Sequence, residues 1–307
     1  MSVDSMTGKV VLVTGAGQAC GRVIAEDFAH RGASVVVNDI DGHAGEETVR
    51  RIHAAGGVAT FVRADVSAEA EVAALVQAAV GTYGRLDVAV NNAGTEVPVA
   101  IADSDSADFA AVFAANLEGV RACMKHEIRA MRVSGGGAIV NMSSVTSDLT
   151  AVPLNGLYAA TKGGVDALTK TAAIEVAKEG ISINSLAFLA ADVDNGMFQR
   201  FLASAGLPQE QVLSAIPIGR LLSAAELCAA VRYLSSDEAR FAVGTTLVLD
   251  GGFTAIQGQR FGRSRRRRPA ACRRSLANGG VCASAAWNWT ACERGGRSET
   301  GSGPGHG

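Results

Sequence analysis

Residues 9–21 read KVVLVTGAGQACG. Val10–Val13 are apolar without polar alternation, the pattern of a strand buried on both faces. Thr14–Gly21 (TGAGQACG) then places three glycines in eight residues, and a helix-like stretch runs from about Ala19 to Arg31. A strand that ends in a glycine-rich bend and enters a helix points backbone N–H groups at an anion, and the helix dipole adds about half a positive charge there. Glycine matters because a side chain would hold a phosphate away. Gly15, Gly17 and Gly21 are in place, with Gln18 and Cys20 between them. The spacing G-x-G-x-x-G would need glycine where Cys20 stands, so the turn by itself is weak evidence for a nucleotide.

Working outward, the same alternation recurs. Ser34–Val37, Thr60–Val62, Leu86–Val90, Ala138–Asn141 and Ile181–Ala187 read as strands, and Thr245–Leu249 as the last one. Between them lie helical patterns at Gly42–Ala55, Ser67–Tyr83, Asp103–Arg132, Leu157–Glu179 and Ser223–Ser236. Short continuous apolar strands between helices predict an α/β fold, a doubly wound, Rossmann-type parallel sheet of about seven strands in one domain, residues 1–256. Each crossover is expected to be right-handed.

The pattern stops near Ile256. Residues 257–307 are rich in arginine, glycine and serine, show neither periodicity and hold both tryptophans of the chain, Trp287 and Trp289. They read as a disordered tail. The abruptness of the change also fits translation out of frame. The tail carries ten arginines against two glutamates, which leaves the first 256 residues with 18 basic and 28 acidic side chains. An acidic body does not attract nucleic acid. The arginine run at 263–268 could meet nucleic acid or an acidic membrane, but a solvated block is the commoner outcome.

No apolar run reaches the roughly eighteen residues of a membrane span. The N-terminus lacks the basic and apolar regions of a signal peptide, so a cytoplasmic location is expected. Cys20, Cys123 and Cys228 are far apart, and Cys272, Cys282 and Cys292 recur every ten residues, which is not a zinc spacing. No metal site is expected, and unpaired thiols suit a reducing compartment.

Asp39 stands 24 residues after Gly15, at the end of the second strand. An acidic group at about that distance accepts hydrogen bonds from ribose hydroxyls and repels a 2′-phosphate. Ile40 and Asp41 follow rather than a basic residue, so NAD is expected over NADP.

Leu157–Lys162 reads LYAATK. Tyr158 and Lys162, four apart on a helix, share a face. An ammonium beside a phenol favours the phenolate and lowers a pKa of about 10 toward neutrality, which would make a general base for an alcohol proton. Ser144 lies 14 residues earlier, at the carboxyl end of the fifth strand, where parallel sheets bind ligands.

Together these stretches resemble the short-chain dehydrogenase/reductase family over about residues 7–256. TGAGQACG resembles its T-G-x-x-x-G-x-G, Asp65-Val66 the pair that contacts the adenine, and Asn91-Asn92-Ala93-Gly94 its N-N-A-G. Asn116, Ser144, Tyr158 and Lys162 match its catalytic set, and Asp250-Gly251-Gly252 its closing motif. The resemblance implies that Tyr158 moves the proton, Ser144 holds the substrate oxygen, Lys162 binds the nicotinamide ribose and Asn116 anchors a water in a proton relay. It also implies a homodimer or homotetramer.

Three departures stand out. Ala19 replaces the family's middle glycine, at a cost of about 1–2 kcal/mol in affinity if the backbone cannot adapt. Phe188-Leu189 replace its Pro-Gly, and Val193 its threonine, at positions that border the nicotinamide. The serine-to-tyrosine interval is one residue longer, which leaves Ser143 as an alternative to Ser144. A lid at residues 194–217 carries Met197, Phe198, Phe201 and Leu202 at helical spacing, and Glu96, Asp148, Asp192 and Asp194 are placed at the pocket edge. These point to a neutral, largely apolar, alicyclic alcohol or ketone, and the Cys123-Met124-Lys125 run and DGGFTAI ending resemble members acting on alicyclic alcohols and diols. The competing reading is a dinucleotide-binding sensor or scaffold without turnover, motivated by Ala19, Phe188, Leu189 and Val193.

Overall fold

The computed structural model describes residues 5–194 and 196–255. The expectation of a disordered tail at 257–307 lies outside the described residues. Seven strands form one parallel sheet: β1 (Val10–Val13), β2 (Ser34–Asp39), β3 (Val58–Arg63), β4 (Val88–Asn91), β5 (Gly137–Met142), β6 (Ile181–Phe188) and β9 (Thr246–Leu249). Their order is β3-β2-β1-β4-β5-β6-β9, with every neighbour parallel. The direction of winding reverses between β1 and β4, and a crevice opens there at the carboxyl ends of the strands.

Each strand alternates its side chains between two buried faces, which is why the strands read as unbroken apolar runs. Val11, Val13, Val35 and Val37 face Ile24 and Phe28 of α1 (Ala19–His30) and Leu227 and Val231 of α9 (Ala224–Leu234). Leu12, Val36, Ala89 and Ile139 face Leu75 of α3 (Glu69–Tyr83), Met124 and Met131 of α5 (Gly119–Ser134) and Val165 of α6 (Gly156–Val176). On the first face α2 (Gly42–Ala54) begins at Asp41, whose side chain accepts from the N–H groups of His43 and Ala44.

The stretch expected as one helix over Asp103–Arg132 is broken. α4 (Ser106–Phe113), capped by Asp105, and α5 flank one wide turn of π-helix, Ala114–Glu118. Such turns concentrate at functional sites, and this one contains Asn116. Past β6 come a two-residue parallel bridge, β7 (Ala191–Asp192) with β8 (Leu222–Ser223), and between them α7 (Gly196–Ala205) and α8 (Gln209–Ala215). No helix among the described residues is long and apolar enough to cross a membrane.

Candidate active site

A cleft of about 620 Å³ runs over the carboxyl ends of β1, β2, β4, β5 and β6, under α7. Its first half is built from backbone. Gly15 (φ +60°) takes a conformation that costs a side-chain residue dearly, and a Cβ there would lie 2.8 Å from Cα of Ala93. A Cβ on Gly21 would meet the Gly15 carbonyl oxygen at 2.1 Å, and one on Gly17 would meet Oδ2 of Asp39 at 2.7 Å. The Asn92 side chain ties the turn down by donating from Nδ2 to the carbonyls of Thr14 and Gly15, both at 3.0 Å. Thr14 Oγ1 accepts from the N–H groups of Asn92 and Ala93. Gln18 caps α1 with no side-chain acceptor, and Gln18, Ala19 and Cys20 line the cleft, so the helix presents its N-terminus to it. Ala19 adopts φ +47°. That is the region glycine occupies freely and alanine enters at a cost of about 1–2 kcal/mol.

Asp39 is buried at the end of β2, where Oδ2 accepts from the Gly17 N–H at 2.8 Å and Oδ1 from that of Asp41 at 3.0 Å. Asp65 and Val66 lie on the wall beyond it, together with Asn92, Ala93 and Gly94. The residues present fit a dinucleotide: a glycine cradle that any Cβ would fill, a helix N-terminus, and a carboxylate at the end of the second strand.

The second half is built from side chains. Tyr158 and Lys162 of α6 face the cleft, the Lys162 Nζ 5.4 Å from the Tyr158 ring centroid. Lys162 is buried and donates to the Met142 carbonyl at 2.6 Å. A Cβ on Gly94 would come within 3.1 Å of the Asn116 Oδ1 and 3.9 Å of the Lys162 Nζ, so these groups converge beneath the N-N-A-G turn. Asn116 itself is fully buried. Its Oδ1 accepts from the Thr95 N–H, and its Nδ2 donates to the Thr95 carbonyl and to Thr161 Oγ1, whose own hydroxyl reaches the Tyr158 carbonyl.

The two serines have separate employments. Ser143 donates to Asp166 Oδ2 at 2.9 Å, whereas Ser144 Oγ lies 3.0 Å from Thr146 Oγ1 and hydrogen-bonds the Tyr158 phenol. Ser144 is therefore the serine paired with the tyrosine.

Residues 15–254 match the family model described as enoyl-(acyl carrier protein) reductase. The chain is 38% identical over 257 residues to cis-4-hydroxycyclohexanecarboxylate dehydrogenase of Sinomonas cyclohexanicum, covering 82% of this chain and 99% of that one. It is 38% identical over 258 residues to 2,5-dichloro-2,5-cyclohexadiene-1,4-diol dehydrogenase of Sphingobium indicum, covering 83% and 100%. The chain belongs to the short-chain dehydrogenase/reductase family. Among solved structures, a gluconate 5-dehydrogenase from Burkholderia cenocepacia in complex with NADP and tartrate superposes with a TM-score of 0.77 at 32% identity, over 83% of this chain and 99% of that one. This short-chain dehydrogenase/reductase is an oxidoreductase of a fold that binds a nicotinamide dinucleotide.

Lys162 sits beside Tyr158, as the four-residue spacing predicts. With protein groups alone around it, the phenol is pushed well above its usual range by burial and by the charge of Glu96, against which the bond from Ser144 pulls down. Burial lowers the Lys162 ammonium to about 8, although Asp166 opposes that shift. Phe188 and Leu189 line the cleft, but Val193 packs against the core, because the β7–β8 bridge turns the chain inward there. Asp148, Asp192 and Asp194 lie off the cleft wall, and of the four acidic residues expected at its edge only Glu96 is on it. Met197, Phe198 and Phe201 of α7 line the cleft, and Leu202 is buried. Sequence reading missed Arg200 and Asn155 on the wall, and Thr146 and Asp166 behind the serines. Arg200 could have been found: it stands three residues after Met197 on α7 and so shares its face.

Proposed function

We propose that this protein is an NAD-dependent dehydrogenase of neutral, largely apolar alicyclic secondary alcohols and the corresponding ketones. The observation that carries it is the meeting of Ser144, Tyr158 and Lys162 in the same cleft as the glycine turn. In this reading Ser144 holds the substrate oxygen and Tyr158 takes the alcohol proton. A bound oxidised nicotinamide would supply the hydride acceptor for the carbinol carbon and a positive charge that favours the phenolate. Lys162 holds the adjoining ribose. Both amide hydrogens of Asn116 are engaged by Thr95 and Thr161, so its side chain fixes the Thr95 loop against α6, and any proton relay through Asn116 uses its main chain.

The dinucleotide would rest on Gly15, Gln18, Ala19 and Cys20, with Gly17 and Gly21 shaping the turn from inside, Asp65 and Val66 beside the adenine, and Asn92, Ala93 and Gly94 under the ring end. Asp39 at the ribose supports NAD, because its carboxylate would repel a 2′-phosphate. Phe188, Leu189, Met197, Phe198 and Phe201 supply an apolar surface for a ring, and both relatives above are named for cyclic alcohols. The free, buried thiols of Cys20, Cys123 and Cys228 suit a reducing cytoplasm. Exposed Phe109 on α4 and Ile174 on α6 suit a homodimer or homotetramer.

The test is direct. Incubation with NAD and cyclic secondary alcohols such as cyclohexanol should raise absorbance from NADH, and NAD should raise the melting temperature more than NADP does. A scaffold without turnover, the reading that the strained Ala19 supports, would give the melting shift and no NADH from any alcohol.

A further inference from the structure

Glu96 is the unexplained group in the cleft. It sits two residues beyond the N-N-A-G turn, on the wall that Tyr158 shares, and neither the dinucleotide nor the proton transfer described above uses it. Its Oε1 is buried without a hydrogen-bond partner. Its Oε2 has one long contact, 3.5 Å from the Asn155 Nδ2. Asn155 is itself buried on the same wall, and its Oδ1 likewise has no partner. Two buried acceptor atoms left unmatched on one wall are costly, and fold stability gives no reason to keep them. Their cost is repaid when a ligand brings the donor they lack.

The two acceptors are held together deliberately. Leu154 adopts φ +67°, a conformation strained for leucine, and its carbonyl accepts from the Val99 N–H at 2.9 Å. A Cβ on Gly156 would lie 2.5 Å from Cδ1 of Ile101, so the loop after Glu96 packs directly on the start of α6. Glu96 and Asn155 are thus fixed from both sides, next to the tyrosine.

We infer that Glu96 and Asn155 form a subsite for a second hydroxyl group on the substrate, so that ring diols and hydroxyketones are preferred over simple cyclic alcohols. This rests on the dehydrogenase reading and names the substrate class within it. The missing partner is a donor, which excludes a carboxylate or a bare carbonyl at this position. A neutral hydroxyl suits it better than an ammonium, because the Arg200 guanidinium already acts on Glu96 from the lid.

The subsite is tested by the ratio of kcat/KM for cyclohexane-1,4-diol and cyclohexane-1,2-diol to that for cyclohexanol, and by calorimetric titration of the same compounds into protein saturated with NADH. The wild type should favour at least one diol by about tenfold or more in both measurements. In Glu96→Leu the ratio should fall close to one, whatever happens to the absolute rate. Glu96→Gln, isosteric and still an acceptor, should give an intermediate ratio and guards against misfolding of the leucine variant. An aminocyclohexanol arm distinguishes an ammonium from a hydroxyl, and tighter binding there would overturn the hydroxyl assignment. Equal treatment of diols and cyclohexanol by the wild type, or a diol preference that survives both substitutions, would overturn the subsite and leave the dehydrogenase reading standing. Diol-selective binding without NADH formation would do the reverse.

Discussion

Between β1 and α1 the walls of the cleft are backbone, whereas under α7 they are side chains. In the first half, Gly15, Gly17 and Gly21 leave no room for a Cβ, and Asn92, Thr14 and Asp39 fasten the turn from three directions. In the second, Tyr158, Ser144 and Glu96 come from separate elements, and two acceptors have no partner. A dinucleotide is always the same ligand, so its half can be built rigidly from backbone before binding. A substrate half must leave polar groups waiting, and those groups carry the selectivity.

The sharpest way to break this contrast is Tyr158→Phe. If the second half performs only the proton transfer, kcat should fall by about 10²–10⁴-fold while NADH affinity, read by fluorescence titration, stays within about twofold. A parallel loss of NADH affinity would show that the two halves are not separable.

Gly21→Ala attacks the first half. Its Cβ would meet backbone, the Gly15 carbonyl at 2.1 Å, and backbone gives way poorly. A loss of about 1–3 kcal/mol is expected, which at this size lowers the melting temperature by roughly 2–4 °C per kcal/mol. The melting shift given by NAD should vanish with it. An unchanged NAD shift would mean that the turn is softer than its contacts indicate.

Below both halves lies a buried layer in register across three strands: Asn91 of β4, Asn141 of β5 and Ser185 of β6. Asn91 Nδ2 reaches Glu127 Oε2 and Asn141 Oδ1, and Asn141 and Ser185 both bond Thr169. Glu127 is fully buried, and its pKa is raised by burial to about 8, although the bond from Asn91 opposes the shift. The folded state therefore holds a proton that the unfolded state releases near pH 4.5. This contribution to stability is fully present below about pH 4.5 and is lost as pH rises through about 8. Glu96, raised to about 7, acts in the same direction but is exhausted sooner. The melting temperature should fall by a few degrees from pH 5 to pH 8. Glu127→Gln should flatten the part between pH 7 and 8, where Glu96 no longer contributes. An unaltered slope there would show that Glu127 is already ionised.

How much of this could be read from the chain follows the same division. The turn, Asp39 and the seven strands were legible, because glycine placement and unbroken valine runs are local consequences of backbone geometry. Ser144 as the serine of the set was legible too, but the reason Ser143 is not, Asp166 claiming it from 23 residues away, was not. Nor was the π-turn at Asn116, which no periodicity announces, or the inward turn of Val193, set by pairing with a strand some thirty residues later. Helical spacing placed the lysine beside the tyrosine, but burial and Glu96, which raise the phenol among protein groups alone, are not visible in spacing.

The smallest effect expected tests the one flaw in the rigid half. Ala19 stands at φ +47° and lines the cleft. Glycine relieves about 1–2 kcal/mol of left-handed strain but adds unfolded-state entropy and weakens the first turn of α1 by roughly 0.5–1 kcal/mol. Ala19→Gly should therefore raise stability by no more than about 1 kcal/mol. Removal of the methyl should tighten NADH binding severalfold, because no entropic term of the unfolded chain enters a comparison of two folded states. Affinity and stability would then move by different amounts, and that divergence is the informative result. Equal gains in both would assign the effect to the backbone alone. Weaker NADH binding in the glycine variant would mean that the alanine stiffens the turn, and that the rigid half has no flaw at this position.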